Sequence, residues 1–121
     1  MARVMVVDDS PTDTEKLKAI LTKAGYEVIT AASAAAALDN AKAQRPDCIV
    51  MDVVMPGVNG FQATRSLTHD PITAAIPVIV CSAKNQPTDR VWALRQGAKD
   101  YLVKPVKGAE LIEKVRGVVG A

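Results

Sequence analysis

RVMVVDDSP, residues 3–11, is the stretch on which the reading of the chain turns. Residues 3–7 are rich in valine and have the length and composition of a buried strand. Two aspartates follow at once. Then come Ser10 and Pro11, an N-cap hydroxyl beside a proline at the first helical position, where the missing N–H is not needed. Beyond them Leu17, Ile20, Leu21 and Ala24 recur at helical spacing, and Gly25 supplies a stop. An apolar strand that passes into a helix through a doubled negative charge raises the question of fold and the question of function together.

The same alternation continues along the chain. Short apolar runs recur at EVITA (27–31), DCIVMDV (47–53), PVIVC (77–81) and, more weakly, DYLV (100–103). Between them a second helix starts at Ser33, uses the alanine tract 34–37 with Leu38 and Ala41, and ends near Arg45 because Pro46 follows. A third runs from about Asn59 through Phe61 and Leu67 to the Asp70–Pro71 break, and a fourth from about Pro87 through Val91, Trp92 and Leu94 to Gly97. A fifth spans Ala109 to about Val119. Strands alternating strictly with helices over short connections predict an α/β fold, a doubly wound parallel sheet with helices on both faces.

A length of 121 residues fits one domain. With 49% hydrophobic and 23% charged residues, usage is that of an ordinary globular protein, which excludes disorder and fibrous repeats. The net charge of +2 comes from 15 basic and 13 acidic residues spread along the chain, so no charge run points to nucleic acid or an anionic membrane. No apolar stretch reaches the roughly 20 residues of a membrane span. No nucleic-acid partner and no membrane insertion are expected, and the cytoplasm is the expected location. Cys48 and Cys81 lie inside apolar runs and read as small buried hydrophobes, without the spacing of a redox or metal site.

In an open parallel sheet, ligands lie outside the carboxyl ends of the strands, where the connectivity reverses. Those ends carry Asp8 and Asp9 on the first strand, Asp52 on the third, Cys81 and Ser82 on the fourth, and Lys104 on the fifth. Three carboxylates at one edge repel one another and resist ionisation unless a cation compensates. All-oxygen ligation suits Mg2+, or Mn2+, and magnesium typically takes one or two carboxylates beside water and a phosphate oxygen. One aspartate is left for other work. Asp52 is the candidate, because a carboxylate can attack phosphorus and hold it as an acyl phosphate. Ser82 could hydrogen-bond one phosphoryl oxygen and Lys104 could neutralise another, which together describe a phosphoryl-transfer site.

VDDS at 7–10, MDVVMPGVNG at 51–60, Ser82 and YLVKP at 101–105 resemble the receiver domain of two-component response regulators, over essentially the whole chain. The resemblance implies a flavodoxin-like (CheY-like) five-stranded sheet of order 2-1-3-4-5 with five helices, and a receiver domain occupying residues 1–121 with no output domain. It implies that Asp52 accepts a phosphoryl group from the phosphohistidine of a CheA-like sensor histidine kinase. Asp8, Asp9, Asp52 and the backbone carbonyl of Val54 would surround magnesium, Asp9 as the more direct ligand and Asp8 largely through water. Ser82, Ala83 and Lys104 would bind the phosphoryl group, and Ser82 and Tyr101 would form a switch pair. Lys104–Pro105 stands where receivers carry a cis peptide. FQATR at 61–65, IPVIV at 76–80 and VWALRQGAKDYLVKP at 91–105 are similar to single-domain regulators of type IV pilus twitching motility. That similarity implies a monomer whose effector belongs to the pilus, chemotaxis or other motility machinery.

Taken singly, these residues have ordinary uses. Asp9, Ser10 and Pro11 suit any helix N-terminus, Lys104 a solvated surface, Ser82 a cap, and Tyr101 edge-strand packing. Their coincidence at the strand ends favours the site. Trp92 is either partly buried in the core or, with Tyr101, part of an exposed partner face. His69 reads as a solvated cap. An aliphatic Val54 cannot orient an attacking water, so slow self-hydrolysis is expected unless Lys84 or a phosphatase helps. The alternatives are a phosphate sink for a shared kinase and a small magnesium-dependent phosphohydrolase. The latter would need a general acid where Val54 stands, and a cap that no insertion provides. The expectation is a switch and not an enzyme acting on an external metabolite.

Overall fold

The computed structural model describes residues 2–53 and 59–119, and in it strands and helices alternate from end to end. β1 (Arg3–Val7) leads into α1 (Pro11–Lys23), whose first turn is closed by the Ser10 hydroxyl accepting from the Asp13 amide at 3.3 Å. β2 (Glu27–Ala31) is followed by α2 (Ala34–Gln44), capped by Ser33 at one end and closed at the other by Arg45 in a left-handed conformation, φ 45°, just ahead of Pro46. β3 (Cys48–Asp52) precedes α3 (Gly60–His69), which opens with a reciprocal cap between Asn59 and Gln62. β4 (Val78–Ser82), α4 (Pro87–Arg95), β5 (Asp100–Val103) and α5 (Gly108–Val119) complete the order, α5 starting one residue ahead of the expected Ala109.

The strands form one parallel sheet in the order β2-β1-β3-β4-β5, as expected. Successive side chains of a strand alternate between faces, and the two cores follow that alternation. Val4 and Val6 of β1, with Cys48, Val50, Ile79 and Leu102, pack under Leu17 and Leu21 of α1 and Leu111 and Val115 of α5. Met5 and Val7, with Ile49, Met51, Val78 and Val80, pack under the alanines of α2, Phe61 and Leu67 of α3, and Ala93 of α4. β3 and β4 are buried along their whole length, and each large apolar side chain there contributes roughly 1.5–3 kcal/mol by leaving water.

α4 is the exception to this packing. It buries only Ala93, while Val91 and Trp92 are each 49% exposed and Leu94 is 39% exposed. The apolar residues that mark this helix in the sequence point outward, because it lies against the edge strand β5, which itself leaves Val103 in solvent.

Two details set the site. Val7 pairs with Met51 and Ser82 with Val103, so Asp8 emerges level with Asp52, and Lys104 follows beside the end of β4. The start of α3 also presses on the end of β3. The Gly60 amide donates to the Val53 carbonyl at 2.9 Å, and a Cβ at Gly60 would fall on the Asp52 carbonyl oxygen. Only glycine lets the helix come so close to that strand.

Candidate functional site

The chain runs from β1 outward to β2 and returns past β1 to β3, so the connectivity reverses between β1 and β3. At that point the polar strand ends meet. The Lys104 ammonium lies 2.8 Å from Asp8 Oδ2, 3.0 Å from Asp13 Oδ2 and 3.3 Å from Asp52 Oδ1. A cleft of about 280 Å³ opens over these groups, walled by Asp8, Asp9, Asp52, Ala83 and Lys104.

The carboxylates differ in environment. Asp8 is buried and fully engaged, Oδ1 accepting from the Ser10 amide at 2.9 Å and Oδ2 from Lys104. Asp9 is exposed. Asp52 is buried at the end of β3, and its carboxyl is held above the usual carboxylate range chiefly by that burial. The Asp8 charge adds to the effect and the Lys104 ammonium opposes it. For Lys104, burial works against the charge, yet hydrogen bonds to Asp8 and Asp13 and the charge of Asp52 outweigh it and push its pKa up.

One carboxylate oxygen from each of Asp8, Asp9 and Asp52 can be chosen so that all lie within 4.8 Å of one another. Three hard oxygens so close suit a small divalent cation of the magnesium type. The Val54 carbonyl, expected beside them, lies outside the described residues.

Ser82 is fully buried, and its Oγ accepts from the Lys84 amide at 3.1 Å. The Tyr101 hydroxyl donates to the Lys84 carbonyl at 2.6 Å, so Ser82 and Tyr101 hold the same residue of the β4–α4 turn from two sides. Burial raises the Tyr101 pKa, with the Ser82 hydroxyl working the other way. This corrects one expectation: Tyr101, expected on a partner face beside Trp92, is 5% exposed and offers no surface in this state, whereas Trp92 is exposed. The reason is that the ring lies in the sheet core with Ala93 and Ala98, facing α4 from below.

The Lys104–Pro105 bond is cis. Lys84 is exposed, and His69 is an exposed residue at the end of α3 bonded to the Arg65 carbonyl. Cys48 and Cys81 are buried thiols, both pushed up to about 12 by that burial.

Asp13 is the residue that sequence reasoning overlooked. In the sequence it is one acid in the first turn of a helix, an ordinary companion of the helix dipole. Its meeting with Lys104 depends on how β5 ends, and only the acid's position one turn after the Asp8–Asp9 pair hinted at it.

The fold and the strand-end geometry have counterparts among known proteins. Residues 4–116 match the family model described as the response regulator receiver domain. The chain is 50% identical over 119 residues to Protein PilH of Pseudomonas aeruginosa, covering 98% of each. The structure of chemotaxis protein CheY4 of Vibrio cholerae matches with a TM-score of 0.91 at 32% identity over 98% of both chains. The receiver domain of a sensor histidine kinase from Pseudomonas aeruginosa, solved with a magnesium ion coordinated in its active-site cleft, matches with a TM-score of 0.91 at 32% identity, covering 99% of this chain and 98% of that one. With the family model matching almost end to end, and half of all positions shared with a relative of the same length, the chain belongs to the response regulator receiver domain family.

Proposed function

We propose that this chain is a stand-alone phosphorylation switch of a two-component system, with Asp52 as phosphoacceptor and a sensor histidine kinase as donor. What supports the reading most is the gathering of Asp8, Asp9 and Asp52 around one cleft with Lys104 bonded across it. An Asp52 oxygen attacks the phosphorus of the donor phosphohistidine; an O–P bond forms, the P–N bond breaks, and its electron pair stays on the imidazole nitrogen, which then takes a proton. Asp52 reacts as the carboxylate, so it has no proton to lose. Lys104 neutralises one phosphoryl oxygen, and the Ser82 hydroxyl, once released from the Lys84 amide, donates to another, with Ala83 walling the cleft between them. Asp8, Asp9 and Asp52 would hold a divalent cation, which supplies positive charge against the developing charge on the phosphoryl group.

The output is a change in partner binding. Phosphorylation replaces the single negative charge of Asp52 with close to two carried on the phosphoryl group, draws Ser82 inward and loosens the hold on Lys84 that Ser82 shares with Tyr101. α4, with Trp92 exposed, then re-presents its surface to an effector. With the 50% identity to PilH in support, we read the output as control of pilus-driven or chemotactic motility, by a monomer acting in the cytoplasm. On this reading the chain turns over no external metabolite.

The test is incubation with acetyl phosphate and magnesium, followed by intact mass and Trp92 fluorescence. The wild type gains one phosphoryl group and its fluorescence changes, while Asp52→Asn does neither. Equal labelling of the two proteins would remove Asp52 from its role. Transfer from a phosphorylated CheA-like kinase then tests the donor class.

A further inference from the structure

We propose that Asp13 is a positioning residue that restrains the Lys104 ammonium and slows phosphoryl uptake by Asp52; the inference rests on the phosphoacceptor reading above. Lys104 has three ammonium hydrogens and three carboxylate partners, Asp8, Asp13 and Asp52, with Asp52 the most distant at 3.3 Å. Asp8 is buried and Asp52 is the reacting group, so Asp13, its side chain 44% exposed, is the partner most easily given up. It stands apart from the carboxylate cluster that suits a cation, which comprises Asp8, Asp9 and Asp52 among the described residues. It lines both the site cleft and a second groove of about 340 Å³ that runs past Lys16, Lys104 and Pro105. The hydrogen bond from its own amide to Ser10 Oγ fixes its backbone there.

The consequence is a competition for one cation. On phosphorylation the bonded oxygen of Asp52 loses its charge, and Lys104 must trade that oxygen for one on the phosphoryl group. Asp13 pulls the ammonium the other way, toward α1. Replacing the carboxylate with an amide of the same shape weakens that pull. For a half-exposed ion pair the expected gain in rate is roughly twofold to fivefold.

The experiment measures phosphoryl uptake from acetyl phosphate with magnesium, by intact mass, in wild type, Asp13→Asn, Asp13→Glu, Lys104→Gln and the Asp13→Asn/Lys104→Gln double variant. Asp13→Asn is expected to label roughly two to five times faster than wild type, Asp13→Glu to stay closer to wild type, and the gain to vanish when Lys104 is absent. Beryllofluoride binding, read by Trp92 fluorescence, gives the same comparison if the Lys104 variants label too slowly: Asp13→Asn tightens it only when Lys104 is present. An unchanged or slower rate in Asp13→Asn overturns the proposal. So does an equal gain in the Lys104→Gln background, which would make Asp13 a plain charge at the cleft mouth. An Asp52→Asn control separates the two levels: if that variant labels as readily as wild type, the phosphoacceptor reading itself fails.

Discussion

The Lys104 ammonium lies 2.8 Å from Asp8 Oδ2, and so ties the end of β5 to the end of β1 across the two strands that separate them in the sheet. Asp8 is almost wholly buried, so this lysine is the cation that makes its charge tolerable. Lys104→Met should therefore destabilise the metal-free protein by about 2–4 kcal/mol. Magnesium should return more stability to the variant than it adds to wild type, since it would supply the missing charge. Thermal melts of both proteins in chelator and in magnesium check this; equal melting temperatures in chelator would refute it.

Asp52 carries the opposite sign of effect. Burial first, and then the Asp8 charge, hold its carboxyl above the ordinary value of 3.8. The folded protein thus binds this proton more tightly than the unfolded chain does, so the stabilising contribution is complete below 3.8 and is lost as the pH rises through the folded value. At neutral pH the ionised group works against the fold. Asp52→Asn is expected to raise the melting temperature in chelator by about 2–6 °C at pH 7. The advantage should shrink as the pH is lowered toward 3.8. A lower melting temperature at pH 7 would contradict this assignment.

Gly60→Ala tests how closely α3 is pressed onto β3. Its Cβ would lie 2.7 Å from the Val53 Cα as well as on the Asp52 carbonyl, both backbone groups that cannot swing aside. A loss of about 1–3 kcal/mol is expected, with slower phosphoryl uptake because the strain falls on the strand that carries Asp52. Denaturant melts and the labelling assay read the two effects separately.

Tyr101→Phe deletes the 2.6 Å bond to the Lys84 carbonyl and leaves the ring in place. Stability should fall by about 0.5–1.5 kcal/mol. Amide exchange at residues 84–86 should rise more than exchange in β4, whose ladder the change does not touch. Uniform exchange along both segments would mean that the hydroxyl does not hold the turn.

Both cysteines should be silent in the native state. Their thiols are buried and shifted up to about 12, so almost no thiolate exists at pH 8. Iodoacetamide is expected to modify neither Cys48 nor Cys81 until denaturant is added. Native labelling of either would show an opening that this packing does not contain.

The fold was legible because its signals are local. Ser10–Pro11, Ser33, Asn59 and Pro87 mark helix starts, Gly25 and Pro46 mark stops, and the apolar runs of β3 and β4 are buried on both faces. The strand-end residues were legible for a related reason: in a parallel sheet every carboxyl end points the same way, so position in sequence becomes position in space. What escaped is what depends on distance between elements. Asp13 meets a lysine 91 positions later. Tyr101 reads as an alternating edge residue, yet a small inward-facing alanine on α4 leaves room to bury it.

Ala93 is the one fully buried side chain of α4, and Val91, Trp92 and Leu94 leave roughly half of themselves in solvent, so the helix holds less apolar area out of water than its neighbours do. Polar ties near its ends, such as Arg90 to Asp100 at 3.3 Å and Thr68 to the Gln96 carbonyl at 2.8 Å, add to its restraint, and such bonds can be exchanged one for another at little net cost. On the proposed function such a helix would act as a lever with a weak return spring: a chemical event worth a few kcal/mol would reset it, and so would an effector that grips its outward side.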